Sequence, residues 1–363
     1  MPHIFLQKIN LENYRNFKDL EINSGNEPVI LIGENGSGKT NILEAISLFF
    51  PGKGIRGAKL DHLCKRDADS CSIKILLHSK LGAAELSTYF TRQSNKRSTL
   101  FNGTKIPNNE LSKFSSMIWL TPQMEGIFTA GLSDRRKFFD RIVYNAYPSH
   151  ATTISKYEYY MYERNIILGQ NMIETNWLTT VEEKMAELSV EIANSRLKSL
   201  NYIQKAINEL DNEFPKAILE IDGVVEKNIL QGQFNTQEFI KTELFNMRSR
   251  DKISGRTNFG VHKSDFVVTH HGKNALAKHC STGEQKAMLI AILLAQVNYA
   301  IKENITKPIM LLDEVFVHLD NRRKLYLIDF LIHSKLQLWI TATDISGIET
   351  LVSKAQLIRL ENI

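Results

Sequence analysis

The stretch Gly33-Glu34-Asn35-Gly36-Ser37-Gly38-Lys39-Thr40 has the plainest chemistry in this sequence. Its glycines leave out the Cβ atoms that would block a tight turn, so successive backbone N–H groups can converge on phosphate oxygens. Lys39 is placed to reach the β- and γ-phosphates of a nucleotide, and the Thr40 hydroxyl to ligate Mg2+. The flanks give the match its weight. Pro28-Val29-Ile30-Leu31-Ile32 reads as a buried strand directly before the loop, and Asn41-Ile42-Leu43-Glu44-Ala45-Ile46 has helical spacing directly after it. A nucleotide with Mg2+ is the expected ligand.

A second segment adds carboxylates. Ile309-Met310-Leu311-Leu312-Asp313-Glu314 is an apolar strand ending on two acids. In that order the first sits near the metal and the second can orient and deprotonate a water. Upstream, Ser281-Thr282-Gly283-Glu284-Gln285 opens an apolar helix, a second helix N-terminus suited to an anion. The plain alternative is that Ser281 only caps that helix, as Asp320 can cap the helix that starts at Asn321. Leu338-Trp339-Ile340-Thr341 is a further strand, closing on Ala342 and Thr343.

These side chains need elements to hold them. The first 120 or so residues read as strands with one early helix, with strands over 70–79, 85–92 and 117–120 and a hairpin turn at Phe101-Asn102-Gly103-Thr104. Between Thr175 and Phe214 apolar residues step by three and four (Leu178, Val181, Met185, Leu188, Ile192, then Leu200, Ile203, Ile207, Leu210), which predicts an amphipathic helix with a break allowed near Ser195. Unbroken, it would be about 60 Å long. After roughly Phe259, strands and helices alternate again: strands over 266–269, 308–313, 337–341 and 356–360, helices over 284–303 and 321–334. The fold class is α/β, with the outer thirds sharing a pattern that the middle third interrupts.

With 363 residues, 43% hydrophobic and 23% charged, the chain can bury two or three cores, and disorder as the main state is excluded. Cys64, Cys71 and Cys280, without CxxC spacing, support neither a disulfide framework nor a zinc knuckle, so a reducing cytoplasm is expected. Met1-Pro2-His3-Ile4-Phe5 lacks signal-peptide features, and the apolar run Ala287–Ile301 is too short to span a bilayer, so no membrane partner is expected. Forty-five Lys and Arg against forty Asp and Glu leave only +5, so distribution matters more than total. Lys53, Arg56, Lys59, Lys65 and Arg66 oppose one acid between Lys53 and Arg66, and Arg92, Lys96, Arg97 and Lys105 lie in an acid-free stretch from Thr91 to Lys105. Arg248, Arg250, Lys252, Arg256 and Lys263 form a third cluster. Such loops suit phosphates without reading bases, although any one of them can equally be a solvated face.

The order of these motifs resembles the ABC-type ATPases, with Walker A at Gly33–Thr40, a signature loop at Ser281–Gln285, Walker B at Asp313 and a D-loop at His318–Asp320. Leu11-Glu12-Asn13-Tyr14-Arg15-Asn16-Phe17, Pro51-Gly52-Lys53-Gly54-Ile55-Arg56-Gly57-Ala58, Pro122-Gln123, Asp134-Arg135-Arg136-Lys137-Phe138-Phe139-Asp140 and Gly260-Val261-His262-Lys263-Ser264-Asp265 resemble the RecF family of DNA-repair ATPases over nearly the whole chain. The resemblance implies an ATPase head with mixed sheets around a P-loop core (1–122 and 259–363) and an inserted, mainly helical lobe (123–258). It also implies an ATP-dependent homodimer in which Ser281 and Gly283 of one copy cover the γ-phosphate held by Gly33 to Thr40 of the other. Glu314, Asp313 and Lys39 are then catalytic, Thr40, Asp313 and Gln123 the metal set, and Lys53, Arg56, Lys59 and Arg97 the DNA contacts. The implied role is a weak, DNA-stimulated ATPase switch that binds single-stranded and duplex DNA at junctions or gaps. It helps mediator proteins load recombinase during repair, replication restart and the SOS response. The alternatives are an SMC-type structural head or a regulatory nucleotide-binding module. Gln123 stands where many relatives carry an acid, and Thr341-Ala342-Thr343 replaces a switch histidine, so a γ-phosphate sensor is either Thr343 or missing. His262 and Lys263 are left without a chemical role and are expected to be a satisfied structural pair.

Overall fold

The computed structural model describes residues 4–57, 59–79, 82–93, 96–170, 174–210, 213–232, 235–303 and 307–360. Met1–His3, Ala58, Ser94, Asn95, Asp211 and Asn212, which enter the readings above, lie outside them.

In chain order the first elements are β1 (Phe5–Tyr14), β2 (Phe17–Asn23), β3 (Val29–Ile32), α1 (Lys39–Ser47), β4 (Ser70–Ser79), β5 (Gly82–Thr91), β6 (Lys96–Phe101), β7 (Thr104–Ile106) and β8 (Met117–Leu120). Next come α2 (Leu132–Ala146), α3 (His150–Gly169), α4 (Thr175–Glu209), β9 (Ala217–Asp222), α5 (Val224–Leu230), α6 (Thr236–Asn246), α7 (Arg248–Ser254), β10 (Asp265–His270) and β11 (Ala275–Leu276). The last are α8 (Thr282–Lys302), β12 (Ile309–Asp313), α9 (Asn321–Ser334), β13 (Leu338–Ala342), α10 (Glu349–Val352) and β14 (Gln356–Arg359).

Two compact units result. The first comprises Met1–Glu125, Glu209–Pro215 and Ser281–Ile363. It contains a parallel five-stranded sheet in the order β14-β3-β13-β12-β8 and an antiparallel six-stranded sheet, β2-β1-β4-β5-β6-β7. The strands β3, β8 and β12 are buried along their whole length, as strands covered on both faces must be, which is why they are continuous apolar runs in sequence. Strand β1 instead alternates, with Leu6, Ile9 and Leu11 fully buried between more exposed neighbours. Asn102 and Gly103 both have positive φ (46° and 80°), the backbone that a two-residue hairpin loop requires between the paired Phe101 and Thr104.

The second unit comprises Gly126–Asn208 and Lys216–Cys280. Its boundary after the helical segment falls at Cys280, beyond residue 258, because β10 pairs along its length with β9. With β11 these strands make a three-stranded antiparallel sheet within the mainly helical unit. Helix α4 runs 35 residues without a break, about 50 Å. Ser195 does not interrupt it; its hydroxyl donates to the carbonyl of Glu191, one turn back, at 2.9 Å. Leu178, Val181, Met185 and Ile192 pack with Tyr157, Ile240 and Leu244 in one core. Two buried arginines tie the helices together: Arg164 donates to Glu182 and Asp251 at 2.9 and 2.7 Å, and Arg196 to Asp140 and Glu226 at 2.8 and 3.2 Å.

Candidate nucleotide site

The loop from Gly33 to Thr40 joins β3 to α1. Gly36 and Gly38 have φ of 92° and 98°, left-handed values that side-chain-bearing residues rarely adopt. At Gly38 a Cβ would also meet Phe17 Cζ at 2.5 Å and Asn16 Nδ2 at 2.7 Å, because the β1–β2 turn rests on the loop. Lys39 is 5% exposed and its ammonium donates to the carbonyls of Gly33 at 2.5 Å and Glu34 at 2.8 Å, directly over the turn. The Ser37 hydroxyl is buried without a hydrogen-bond partner, a polar atom at the α1 N-terminus suited to a phosphate-binding loop. Glu34, Asn35 and Gly36 are exposed.

Parallel pairing sets Asp313 of β12 opposite Thr341 of β13, and Thr341 opposite Leu31 of β3. The consequence is a compact cluster: Thr40 Oγ1 donates to Asp313 Oδ1 at 3.0 Å, Thr341 Oγ1 donates to the same oxygen at 2.7 Å, and the Glu314 N–H donates to Thr341 Oγ1 at 3.0 Å. Glu314 has φ of 49°, a left-handed backbone that costs a non-glycine residue about 1–3 kcal/mol and persists only where its surroundings enforce it. A hydroxyl and a carboxylate at the end of a phosphate cradle are hard oxygen donors, a set that fits Mg2+ completed by waters and phosphate oxygens. Gln123, the third expected ligand, is exposed after β8 and makes no hydrogen bond to Thr40 or Asp313. Among the described residues no group of three or more His, Cys, Asp or Glu side chains is arranged to hold a metal.

Ser281 caps α8: its hydroxyl accepts the Glu284 N–H at 3.4 Å, while Glu284 Oε2 accepts the Ser281 N–H at 3.1 Å. Ser281 and Gly283 are nevertheless exposed, so the capping role leaves the helix N-terminus accessible to another molecule. Asp320 caps α9 by accepting the Arg323 N–H at 3.0 Å. Thr343 is exposed just beyond β13. Lys286 on α8, absent from the sequence reading, is buried and joins three segments, pairing with Glu125 at 2.9 Å and donating to the Val317 carbonyl at 2.6 Å.

Glu44 on α1 is fully buried and holds the β1–β2 turn. Arg15 clasps it with two bonds, Nε to Oε2 at 2.8 Å and Nη2 to Oε1 at 2.6 Å, and the Tyr14 hydroxyl donates to Oε2 at 2.9 Å. Burial, then the Glu44 carboxylate, push Tyr14 well above the ordinary tyrosine range, so it stays a proton donor. The same turn brings Asn16 Nδ2 to 3.5 Å from the Ser37 carbonyl, and Asn41 Nδ2 donates to Asn16 Oδ1 at 2.7 Å. Nothing in the types or spacing of Tyr14, Arg15 and Glu44 announced this network.

Of the expected DNA contacts, Lys53, Arg56 and Lys59 lie exposed on the loop after α1, and Arg56 Nη1 donates to Asn41 Oδ1 at 2.7 Å. Arg97 departs from that expectation. Its Nη2 donates to the Leu48 carbonyl, the C-terminal cap of α1, at 2.9 Å, and its Nε is buried without a partner. Burial lowers its pKa to about 10. A guanidinium held against a helix C-terminus in this way is a structural cation rather than a free phosphate ligand. Of the pair expected to be structural, His262 is satisfied, since Tyr157 donates to Nδ1 at 2.8 Å and Nε2 donates to the Thr257 carbonyl at 2.9 Å, whereas Lys263 is exposed. No helix among the described residues is long and apolar enough to cross a membrane.

The family model for the RecF/RecN/SMC N terminal domain matches residues 5–360. A DNA replication and repair protein RecF of Rickettsia felis is 64% identical over 360 residues, covering 99% of this chain and 99% of its own length. Its counterpart in Rickettsia bellii is 62% identical over 360 residues, covering 99% of this chain and 100% of its own. A solved structure of the recombination mediator protein RecF with ATP in the RecFOR pathway superposes with a TM-score of 0.84 at 24% identity, over 96% of each chain. An SMC head domain from Pyrococcus furiosus matches more loosely, with a TM-score of 0.56 at 14% identity over 100% of this chain and 94% of that one. At those identities the superpositions speak for a shared ATPase-head fold. The end-to-end match to relatives 62–64% identical goes further: this chain belongs to the RecF family.

Proposed function

We propose that this protein is an ATP-dependent DNA-binding protein of recombinational repair and replication restart. ATP joins two copies around DNA at a gap or a junction of single and double strands, and the dimer helps mediator proteins load recombinase, in support of the SOS response. The observation that carries this reading is the pairing of a phosphate cradle and an ordered Asp313–Glu314 pair with an exposed Ser281–Gly283 helix terminus in one chain. The names of the relatives, DNA replication and repair proteins RecF, supply the biological context.

In this mechanism the loop N–H groups and Lys39 grip the phosphates, the ammonium exchanging the Gly33 and Glu34 carbonyls for phosphate oxygens. Thr40 and Asp313 would hold Mg2+, which when bound would supply charge neutralisation to the phosphates. Ser281 and Gly283 of the second copy close over the γ-phosphate with their hydroxyl and N–H groups. Glu314 orients the attacking water and accepts its proton. The nucleotide shifts the monomer–dimer balance only by its differential affinity for the dimer; moving that balance from 1:99 to 99:1 takes about 5.5 kcal/mol. Hydrolysis removes that difference and releases the DNA. Lys53, Arg56 and Lys59 contact phosphates without reading bases.

Light scattering of the purified protein with ATP, ADP or no nucleotide, each with and without gapped duplex, tests the reading. A doubling of mass with ATP alone is expected. A protein that stays single at saturating ATP, even with gapped duplex present, overturns the dimer switch. ATP-driven dimers that ignore DNA favour the regulatory-module alternative.

A further inference from the structure

Thr341 is 1% exposed at the centre of the parallel sheet, between β3 and β12. Its hydroxyl uses both its capacities on the two acids: it donates to Asp313 Oδ1 at 2.7 Å and accepts the Glu314 N–H at 3.0 Å. The first bond leaves the Asp313 carboxylate held from two sides, since Thr40 donates to the same oxygen at 3.0 Å. The second fixes a backbone that would otherwise drift. Glu314 stands at φ of 49°, outside the strand conformation of the residues before it, and its N–H has left the strand ladder for a side-chain acceptor. Without that acceptor a part-buried N–H loses its partner and the left-handed turn loses the restraint that aims the Glu314 side chain.

We propose that Thr341 is a positioning residue for ATP hydrolysis, acting through both acids at once: it sets the carboxylate of Asp313 and the backbone angle of Glu314. The inference rests on the reading of Asp313 and Glu314 given under the proposed function, and deepens it. In a chain with Ala342 and Thr343 where a switch histidine is expected after the last core strand, the strand itself supplies order to the acidic pair through this hydroxyl.

Thr341→Val preserves shape and removes the hydroxyl, while Thr341→Ser keeps it. The experiment measures steady-state ATP turnover, affinity for a fluorescent ATP analogue and thermal unfolding for wild type and both variants. Thr341→Val is expected to lower kcat by about 10- to 100-fold, the usual cost of removing a group that orients a reacting one, with nucleotide affinity changed less than about 3-fold. Thr341→Ser is expected to keep at least about a third of wild-type kcat. Equal turnover in Thr341→Val and wild type overturns the proposal, as does a Ser variant that loses as much kcat as Val while folding and binding nucleotide normally. If Thr341→Val does not fold, Thr341→Ala, which also removes the hydroxyl, takes its place against Thr341→Ser. A wild type that binds ATP but never turns it over removes the hydrolytic reading of Glu314 itself, a different result from a variant-specific loss.

Discussion

Replacing Arg15 with Ala tests whether the β1–β2 turn is fastened to the phosphate-loop helix by a buried charge. The Glu44 side chain is 0% exposed and that of Arg15 17%, and the two bonds between them, at 2.8 and 2.6 Å, form a fork that satisfies both carboxylate oxygens. Truncation strands the carboxylate in the interior. Breaking a buried pair from one side costs about 3–5 kcal/mol, mostly through the charge left behind. Here the Tyr14 hydroxyl remains at 2.9 Å and Arg56 stands 3.9 Å away, so the lower end, about 3 kcal/mol, is expected. That is roughly a hundredfold in the folded-to-unfolded ratio, measurable by urea unfolding. Removing both partners, as Arg15→Met with Glu44→Met, replaces the pair by apolar volume and should return stability to within about 1 kcal/mol of wild type. ATP affinity should fall in Arg15→Ala because Asn16, on the same turn, contacts the Ser37 carbonyl and Asn41. A loss below about 0.5 kcal/mol for Arg15→Ala, or a double variant no better than the single, would refute the reasoning.

Glu314→Gln should slow ATP turnover by about 100-fold or more and prolong the ATP-bound dimer, read by light scattering after dilution; an unchanged dimer lifetime would remove the base role from that carboxylate. If about six phosphates are neutralised, log affinity for duplex DNA should fall with log salt at a slope near −5, measured by fluorescence anisotropy, and a flat response would discard the basic loops. Lys59→Ala should make that slope shallower by about 1 while Arg97→Met leaves it alone, because Arg97 is bound to the Leu48 carbonyl. Burial lowers His262 from 6.5 to about 4. The unfolded chain therefore takes up this proton first, stability is full above about pH 6.5, and on the order of 3 kcal/mol is lost on the way down to pH 4. His262→Gln should flatten that part of a pH series of urea unfolding curves, and an unaltered slope would assign it to other groups.

How much of this was legible in sequence follows from how each element is buried. The strands β3, β8, β12 and β13 lie within a sheet covered on both faces, so each announces itself as an apolar run, and α1, α8 and α9 show helical spacing between them. Asn102-Gly103 marked its own hairpin for the same local reason. Strand β9 was harder. Its six residues, Ala-Ile-Leu-Glu-Ile-Asp, sit between helices, and its partner β10 begins more than forty residues later, so nothing local identifies the pairing that draws 265–280 into the second unit. The continuity of α4 past Ser195 rests on its buried face, which runs on from Ile192 and Ala193 to Leu197 without a gap.

The candidate site divides along the same line. Gly33 to Thr40 and Asp313-Glu314 are recognisable because their chemistry is local: a turn, a helix N-terminus, a strand end. Thr341 is not, because a threonine within an apolar strand is what β propensity alone would place there. Its meaning comes from a parallel register that sets it opposite Asp313, across a pairing between segments about thirty residues apart. Arg15 likewise gains its role only when the turn it occupies reaches α1. The two halves of the chemistry therefore lean on different parts of the fold. The phosphate loop depends on the β1–β2 turn through Arg15, Asn16 and Glu44, whereas the acids depend on β13 through Thr341. Damage to the turn should weaken ATP binding, and damage to the β13 hydroxyl should weaken turnover with binding retained. Nucleotide grip and turnover are then separable by mutation.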